Sequence, residues 1–231
     1  MIVALLAAML ALNAEARLNQ LPRLEMPGTA RAVPPPADWL HGWLGLYVTG
    51  RHAWLKPVRL RVVQIESGDV SGDPAWELDS TDEPAPIMMF RSLPMLHAGA
   101  LRPPLALNTP IPFDSPKPLE LGRLHWQLAW HCQAAATQPG APTNSLCQLQ
   151  LTGGSQTQIL EAVERDAFGS PLAGATTVLW AGDLDGDGKP DLLLTTERGD
   201  LPPLTTLWLS TQATAGELLH KTADYVPEEL C

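Results

Sequence analysis

The chain has 231 residues, of which 45% are hydrophobic, and a formal net charge of −10. This length suits one domain or a small two-part protein, and the apolar content is sufficient for a packed core. The acidic balance argues against nucleic acid and anionic membranes as partners, because phosphate binding needs clustered Lys and Arg. The 23 prolines favour a protein of strands and turns over one of long helices.

The N-terminus has the pattern of a secretory signal. Residues 2–12 form an apolar stretch, and Ala14, Glu15 and Ala16 form a small-x-small cleavage site. The stretch is shorter than the ~20 apolar residues that cross a bilayer, and no later segment is longer. We therefore expect residues 1–16 to be a cleaved signal peptide and the mature chain to be secreted or periplasmic, without a transmembrane segment.

The next segment, residues 17–37, carries five prolines and little apolar periodicity, which predicts an extended linker outside the folded core. Residues 38–231 are then predicted to form a single β domain. Its first element is interpreted as one helical turn, with Trp39 and Trp43 on the same side.

Alternation of apolar and polar residues indicates short strands along this domain. Residues 57–63 alternate cleanly, and residues 45–50 are a candidate hairpin partner for them. Residues 92–118 contain seven prolines and are predicted to be an irregular crossing loop. Residues 161–167 and 215–221 can each be read as strand or helical turn. Further strand candidates are residues 75–79, 87–91, 124–132, 147–151, 158–163, 176–182, 192–196 and 204–210.

Two cysteines end neighbouring strand candidates. Cys132 and Cys147 lie on the apolar faces of their strands, at the ends that meet a loop rich in Ala, Thr, Pro and Gly. In an exported protein this arrangement favours a disulfide, which contributes about 3 kcal/mol by the chain-entropy estimate. Cys231 is left over: it is free, pairs between chains, or competes with one of the other two.

The most informative stretch is an acidic loop that begins at Asp183. Carboxylates occupy positions 1, 3, 5 and 9 of nine residues, and two glycines let the backbone curl. Unit charges ~4 Å apart repel by ~4 kcal/mol at an effective dielectric of ~20, so these groups resist closing up without a cation. Ca²⁺ takes ~6–8 oxygen ligands. The spacing therefore predicts a calcium site; the alternative is a solvated acidic turn.

The segments on either side of the loop are short and β-prone, so the loop joins two strands. An EF-hand would join two helices and carry Glu at position 12, where this chain has Leu194. Residues 182–194, GDLDGDGKPDLLL, resemble the FG-GAP/VCBS repeat, a calcium hairpin between strands. The resemblance implies a unit at about residues 174–215. It also implies these Ca²⁺ ligands: the side chains of Asp183, Asp185, Asp187 and Asp191, and the carbonyl of Lys189.

Only one copy of this unit is found in the sequence. A multi-blade propeller is therefore not expected, because a solitary blade cannot bury its own faces. The predicted fold class is mainly β: an antiparallel, sandwich-like domain with one FG-GAP/VCBS-like calcium hairpin and a few short helical turns.

Catalytic signatures are missing from the sequence. There is no HExxH helix and no G-x-S-x-G nucleophile motif. These observations favour an exported, non-catalytic β-protein with one structural Ca²⁺, acting as an envelope or extracellular interaction module for a protein or glycan partner. The alternative is a secreted hydrolase or carbohydrate-binding accessory protein that carries a structural calcium loop, which a cluster of exposed tryptophans beside a cleft would favour.

Overall fold

A computed structural model describes residues 22–66, 74–113, 115–134, 145–165, 176–198 and 201–228. Within them the chain forms 17 strands and a single four-residue 3₁₀ turn, Ala37–Leu40. All strand pairs are antiparallel. The predicted mainly β fold is confirmed. The predicted signal peptide, residues 1–16, lies outside the described residues.

The strands form four sheets, which are numbered here in the order in which they stack. The first sheet is β2 (Thr29–Arg31), β6 (Pro74–Ser80) and β5 (Leu60–Glu66). The second is β1 (Arg23–Glu25), β7 (Met88–Arg91), β3 (Trp43–Thr49), β4 (His52–Pro57) and β8 (Gly99–Leu101). The third is β17 (His220–Tyr225), β16 (Leu201–Leu209), β15 (Asp191–Arg198), β14 (Thr176–Gly182) and β9 (Ala106–Pro110). The fourth is β10 (Lys117–Leu121), β11 (Leu124–Ala134), β12 (Ser145–Gly153) and β13 (Gln156–Arg165).

Three apolar cores separate the four sheets. The core between the first and second sheets includes Trp43, Tyr47, Leu78 and Met89. The core between the second and third includes Leu46, Phe90, Trp180, Leu193 and Leu207. The core between the third and fourth includes Leu128, Leu149, Val178, Leu192 and Leu194. The third sheet is therefore covered on both faces, and the second is covered by the third sheet on one face and by the three-stranded first sheet over part of the other.

Coverage of both faces explains the apolar run in β15. Leu193 packs into the core shared with the second sheet, whereas Leu192 and Leu194 pack into the core shared with the fourth. All three side chains are fully buried. A strand that is buried on both faces has a continuous apolar sequence rather than an alternating one.

The prediction that residues 17–37 form a linker outside the core is wrong for the part that the structure describes. β1 pairs with β7 and β2 pairs with β6, and the side chain of Leu24 is only 4% exposed. The ladder hydrogen bonds use backbone groups and need no apolar periodicity, and Pro22 and Pro27 lie just outside β1. Residues 17–21 lie outside the described residues.

The pairing of β1 and β2 leads to a prediction for N-terminal truncation. Removing residues 22–32 will lower the free energy of unfolding by at least ~2 kcal/mol, because burying one Leu side chain contributes ~1.5–3 kcal/mol and two strand pairings are lost as well. Urea unfolding of this truncated chain, beside a control chain that begins at Pro22, measures the difference. Equal stability of the two chains would contradict the structure and support the linker interpretation.

The predicted irregular loop at residues 92–118 is also wrong in part, because it contains β8, β9 and the beginning of β10. Each of these three strands lies at the edge of its sheet: β8 pairs with β4, β9 with β14, and β10 with β11. Edge strands tolerate proline, and Pro110 and Pro118 lie in two of them. The predicted hairpin between residues 45–50 and 57–63 is replaced by β3–β4, and β5 pairs with β6.

The fourth sheet agrees with the alternation in the sequence. β11, β12 and β13 form a meander, and Cys132 and Cys147 are direct register partners joined by a disulfide. Cys147 is buried in the core as predicted, but Cys132 is exposed, because the pairing of β10 with β11 ends at Leu128 and Cys132 lies on the part of β11 beyond it. The loop between them and Cys231 lie outside the described residues.

Two ambiguous segments are resolved. β13 continues as strand to Arg165, and the final strand β17 begins at His220. Trp39 lies in the 3₁₀ turn and Trp43 begins β3; their rings meet edge to face, with centroids 6.3 Å apart. Within the described ranges no helix has the length and apolar character that a membrane crossing needs.

Candidate metal centre

The acidic loop joins two adjacent strands of the third sheet. β14 and β15 are antiparallel, and Gly182 and Asp191 form the last register pair before the loop. Gly186 and Gly188 have φ of 83° and 85°, a left-handed conformation that favours glycine. Leu184 is buried in the core between the second and third sheets. The loop is therefore anchored to the protein interior, unlike a turn that projects into solvent.

Three of the predicted ligands come together in this loop. Asp183, Asp185 and Asp187 each offer a carboxylate oxygen, and these three oxygens lie within 4.8 Å of one another. Asp183 is buried, Asp185 is half-buried and Asp187 is at the surface. The group therefore extends from the interior to solvent, and it could hold a metal ion.

The innermost carboxylate, that of Asp183, has an unsatisfied oxygen. Its Oδ2 accepts a hydrogen bond from the Gly188 N–H at 3.2 Å, but its buried Oδ1 has no hydrogen-bond partner among the described residues. The residue is only 6% exposed. A buried polar atom without a partner costs ~1–3 kcal/mol, and more when it is charged. A cation beside Asp185 and Asp187 would satisfy this oxygen, so the residues fit a metal ion.

The two outer carboxylates organise the loop backbone. Asp185 Oδ1 accepts the Asp187 N–H at 3.3 Å, and Asp187 Oδ1 accepts the Lys189 N–H at 2.8 Å. The Lys189 ammonium lies 3.9 Å from Asp187 Oδ2 and is more than half exposed. These local bonds hold the carboxylates in a regular order along the loop, with one oxygen of each engaged by the backbone.

Asp191, the fourth predicted carboxylate ligand, is not in this group of three. It is fully buried, and its Oδ2 accepts hydrogen bonds from the N–H groups of Leu184 and Asp185 at 2.7 and 3.3 Å. Its Oδ1 accepts bonds from the N–H and hydroxyl of Ser210 at 2.8 and 3.0 Å. Asp191 thus fixes the loop to the end of β16.

Comparison with protein-family models, with curated proteins and with solved structures finds no match for this chain. No family is shown. The resemblance of residues 182–194 to the FG-GAP/VCBS repeat stays a prediction, because a cluster of three aspartates does not establish that repeat. Conclusions about function therefore rest on the residues of this chain and their geometry.

Two contacts to the loop were not anticipated from the sequence. Thr211 donates its hydroxyl to Asp185 Oδ2 at 2.5 Å, and Ser210 binds Asp191 as described above. These residues follow β16 and are 26 and 19 positions away from their partners. Spacing within the acidic loop carries no signal for them, because the contact arises from the pairing of β15 with β16.

The protonation of the loop in the absence of metal follows from burial. Desolvation, followed by the charge of Asp185, raises the pKa of Asp191 from 3.8 to about 7. Desolvation likewise raises the pKa of Asp185, although its hydrogen bond from Thr211 opposes the shift. A carboxyl group whose pKa is raised by folding holds its proton more tightly in the folded state, so its contribution to stability falls as pH rises between its two pKa values.

These pKa shifts predict a pH-dependent effect of calcium. Asp191 loses its proton in the interval between pH 3.8 and about 7, and burial raises the pKa of Asp185 in the same direction, so in the lower part of this interval protons on these two groups compete with the ion. The increase in melting temperature caused by Ca²⁺, measured against a chelator, will therefore grow as pH rises across this interval. Thermal unfolding at several pH values measures it. An increase that is independent of pH would contradict the assignment of these groups as the binding site.

Proposed function

We propose that the loop between β14 and β15 binds one Ca²⁺ and that this ion is structural. The observation that carries the proposal is the buried, unpartnered Oδ1 of Asp183, which lies beside two further carboxylates. The side chains of Asp183, Asp185 and Asp187 supply the oxygens. The carbonyl of Lys189 and the side chain of Asp191, implied by the FG-GAP/VCBS resemblance, remain predicted additional ligands.

The donor set favours Ca²⁺ over other metals. It consists of carboxylate oxygens without His or Cys, whereas structural zinc sites use sulfur and nitrogen ligands. Mg²⁺ demands a near-ideal octahedron and gives up its water reluctantly, whereas Ca²⁺ accepts irregular oxygen shells. The loop also leaves one side of the cluster, at Asp187, open to water molecules that complete a calcium shell.

A structural role follows from what the loop touches. Leu184 packs between the second and third sheets, and Thr211 and Ser210 connect the loop to the segment after β16. An ion at the cluster would therefore hold three strands of the third sheet together at one end. The hydroxyl groups of Thr211 and Ser210 donate to carboxylates of the loop and so tie it to the sheet, which favours stabilisation as the role of the ion.

The disulfide and the predicted signal peptide support export. Disulfides persist in oxidising compartments such as the periplasm or the extracellular space, and Cys132–Cys147 bridges two strands of the fourth sheet. Calcium is plentiful outside the cytoplasm and suits a low-affinity aspartate loop. We infer that the chain is a secreted or periplasmic β-protein that acts as a non-catalytic interaction module stabilised by Ca²⁺.

Thermal unfolding with and without calcium tests this proposal. Binding to the folded state alone adds ~2.7 kcal/mol when Ca²⁺ is at ~100 times Kd, and about 1 kcal/mol at millimolar calcium for an extracellular-type site. The wild-type melting temperature will rise with Ca²⁺ and rise less with Mg²⁺. Asp185→Ala will abolish this rise and leave the calcium-free protein little changed.

The matched control is Glu66→Ala, which removes an exposed carboxylate at the end of β5, in the first sheet. It will keep the full calcium response. If wild type and Asp185→Ala melt identically in calcium and in chelator, the loop is only an acidic turn and the proposal fails.

A further inference from the structure

The second sheet is wider than the sheet that covers it. It has five strands, whereas the first sheet has three, and the core between them is built mainly from β3 and β7 of the wider sheet. The outward face of β4 extends past this cover. There His52, Trp54 and Lys56 are exposed, alternating with the buried residues Ala53 and Leu55.

An open cleft of about 620 Å³ lies along this uncovered face. Its volume is in the range of small-molecule sites, ~300–1,000 Å³. We call it the Trp54 cleft; its lining includes Tyr47, Thr49, Trp54, Lys56, Gly99 and Ala100. All eight tryptophans of the chain lie in the described residues, and Trp54, which is 37% exposed, is the only one of them that is exposed. The others are buried or half-buried.

Side chains from the two neighbouring strands lie beside Trp54. Trp54 is the register partner of Tyr47 on β3 and of Ala100 on β8, so the three side chains share a face. Tyr47 is buried, and β8 contributes only the small residues Gly99 and Ala100 to the cleft lining. The imidazole of His52, which is outside the cleft lining, stacks on Trp54 with centroids 5.9 Å apart and steadies the indole.

Polar groups surround this aromatic surface. The Lys56 ammonium lies 4.0 Å over the Tyr47 ring and forms no ion pair with a described residue. The exposed hydroxyl of Thr49 and the indole N–H of Trp54 are further groups that can form hydrogen bonds. A flat apolar surface with a few hydrogen-bonding groups at its rim matches a pyranose ring, which has apolar C–H faces and polar hydroxyl groups at its edge.

Other occupants fit this chemistry less well. A protein partner or a second copy of the chain needs a contiguous apolar area, but His52 and Lys56 interrupt the exposed apolar surface on both sides of Trp54. Nucleic acid needs clustered cations, and the cleft has one, in a chain of net charge −10. The same excess of negative charge disfavours polyanionic glycans.

We propose that the Trp54 cleft binds a neutral pyranose unit of a glycan, which stacks on the Trp54 indole and whose hydroxyl oxygens accept hydrogen bonds from the Lys56 ammonium and the Trp54 N–H. The glycan proposal rests on the proposed function, because it names a ligand for that interaction module, but it is independent of the metal site. The cleft belongs to β4 and β8 of the second sheet, whereas the acidic loop belongs to β14 and β15 of the third.

Isothermal titration calorimetry of the whole chain with cellohexaose, chitohexaose, laminarihexaose and mannohexaose tests this proposal. At least one of these neutral oligosaccharides will bind. Trp54→Ala will weaken that binding at least about tenfold, which is the effect of losing one aromatic stacking contact of ~1.4 kcal/mol. Ala100→Leu fills the space beside the indole without removing it and will also weaken binding.

The control variant is Ile159→Ala, which removes an exposed apolar side chain, 51% exposed, from β13 in the fourth sheet, and it will bind as wild type does. No binding of any of the four oligosaccharides, or equal affinity of wild type and Trp54→Ala, would overturn the proposal. If sedimentation shows self-association that is lost in Trp54→Ala, the occupant of the cleft is a second copy of the chain and the glycan proposal is wrong. A calcium titration of the same sample separates failure of this proposal from failure of the metal site.

Discussion

Leu193→Ala will lower the free energy of unfolding by about 2–5 kcal/mol, the range for buried Leu-to-Ala changes. Leu193 is fully buried, and it lies on a strand whose sheet is packed on both faces. Neighbouring side chains are held from both sides and can collapse little into the space that the substitution leaves, which places the expected loss toward the upper part of the range. Urea unfolding monitored by circular dichroism measures it.

The matched control for this substitution is Leu201→Ala in the adjacent strand β16. Leu201 is 62% exposed, so the same chemical change there will alter the free energy of unfolding by no more than ~0.5 kcal/mol. Equal losses for the two variants would contradict the stacking of the third sheet between two others.

Loss of the Cys132–Cys147 disulfide will lower the free energy of unfolding by about 3 kcal/mol. The two residues are separated by 15 positions, and a loop of this length gives ~3 kcal/mol in the chain-entropy estimate. Cys132→Ser is the variant to use, because Cys132 is exposed and its replacement removes the bridge without opening a cavity around the buried Cys147.

A reducing agent provides the control for this variant. It will lower the stability of the wild type to that of Cys132→Ser and leave the variant unchanged. Peptide mapping of the non-reduced chain will show the two cysteine peptides linked. Free thiols at both positions, or a link from either one to Cys231, would contradict the bridge.

Features of the fold that depend on the order of neighbouring residues were predicted correctly from the sequence. The short β-prone segments on either side of the aspartate loop predicted that it joins two strands, and β14 and β15 flank it as expected. The alternation around Cys132 and Cys147 predicted the hairpin and its bridge. In both cases neighbouring residues carry the whole signal, because side chains alternate along a strand and a tight loop needs glycine.

Long-range pairing was not predictable in the same way. β1 and β2 are three-residue strands held by backbone hydrogen bonds, so their side chains show no periodicity that separates them from a linker. The contacts of Ser210 and Thr211 with the acidic loop depend on strand pairing. The run Leu192 to Leu194 suggested a strand but did not reveal that two different cores receive its side chains.

Calorimetric titration of Ca²⁺ into the metal-free chain tests the central claim most directly, with Asp183→Asn as the matched variant. Asparagine keeps the size of the side chain and an acceptor oxygen but removes the charge that burial leaves uncompensated at Asp183. We predict one calcium ion bound per wild-type chain and at least a tenfold weaker affinity in the variant, about 1.4 kcal/mol. Absence of calcium binding to the wild type, or equal affinity in both proteins, would contradict a structural calcium site in this loop.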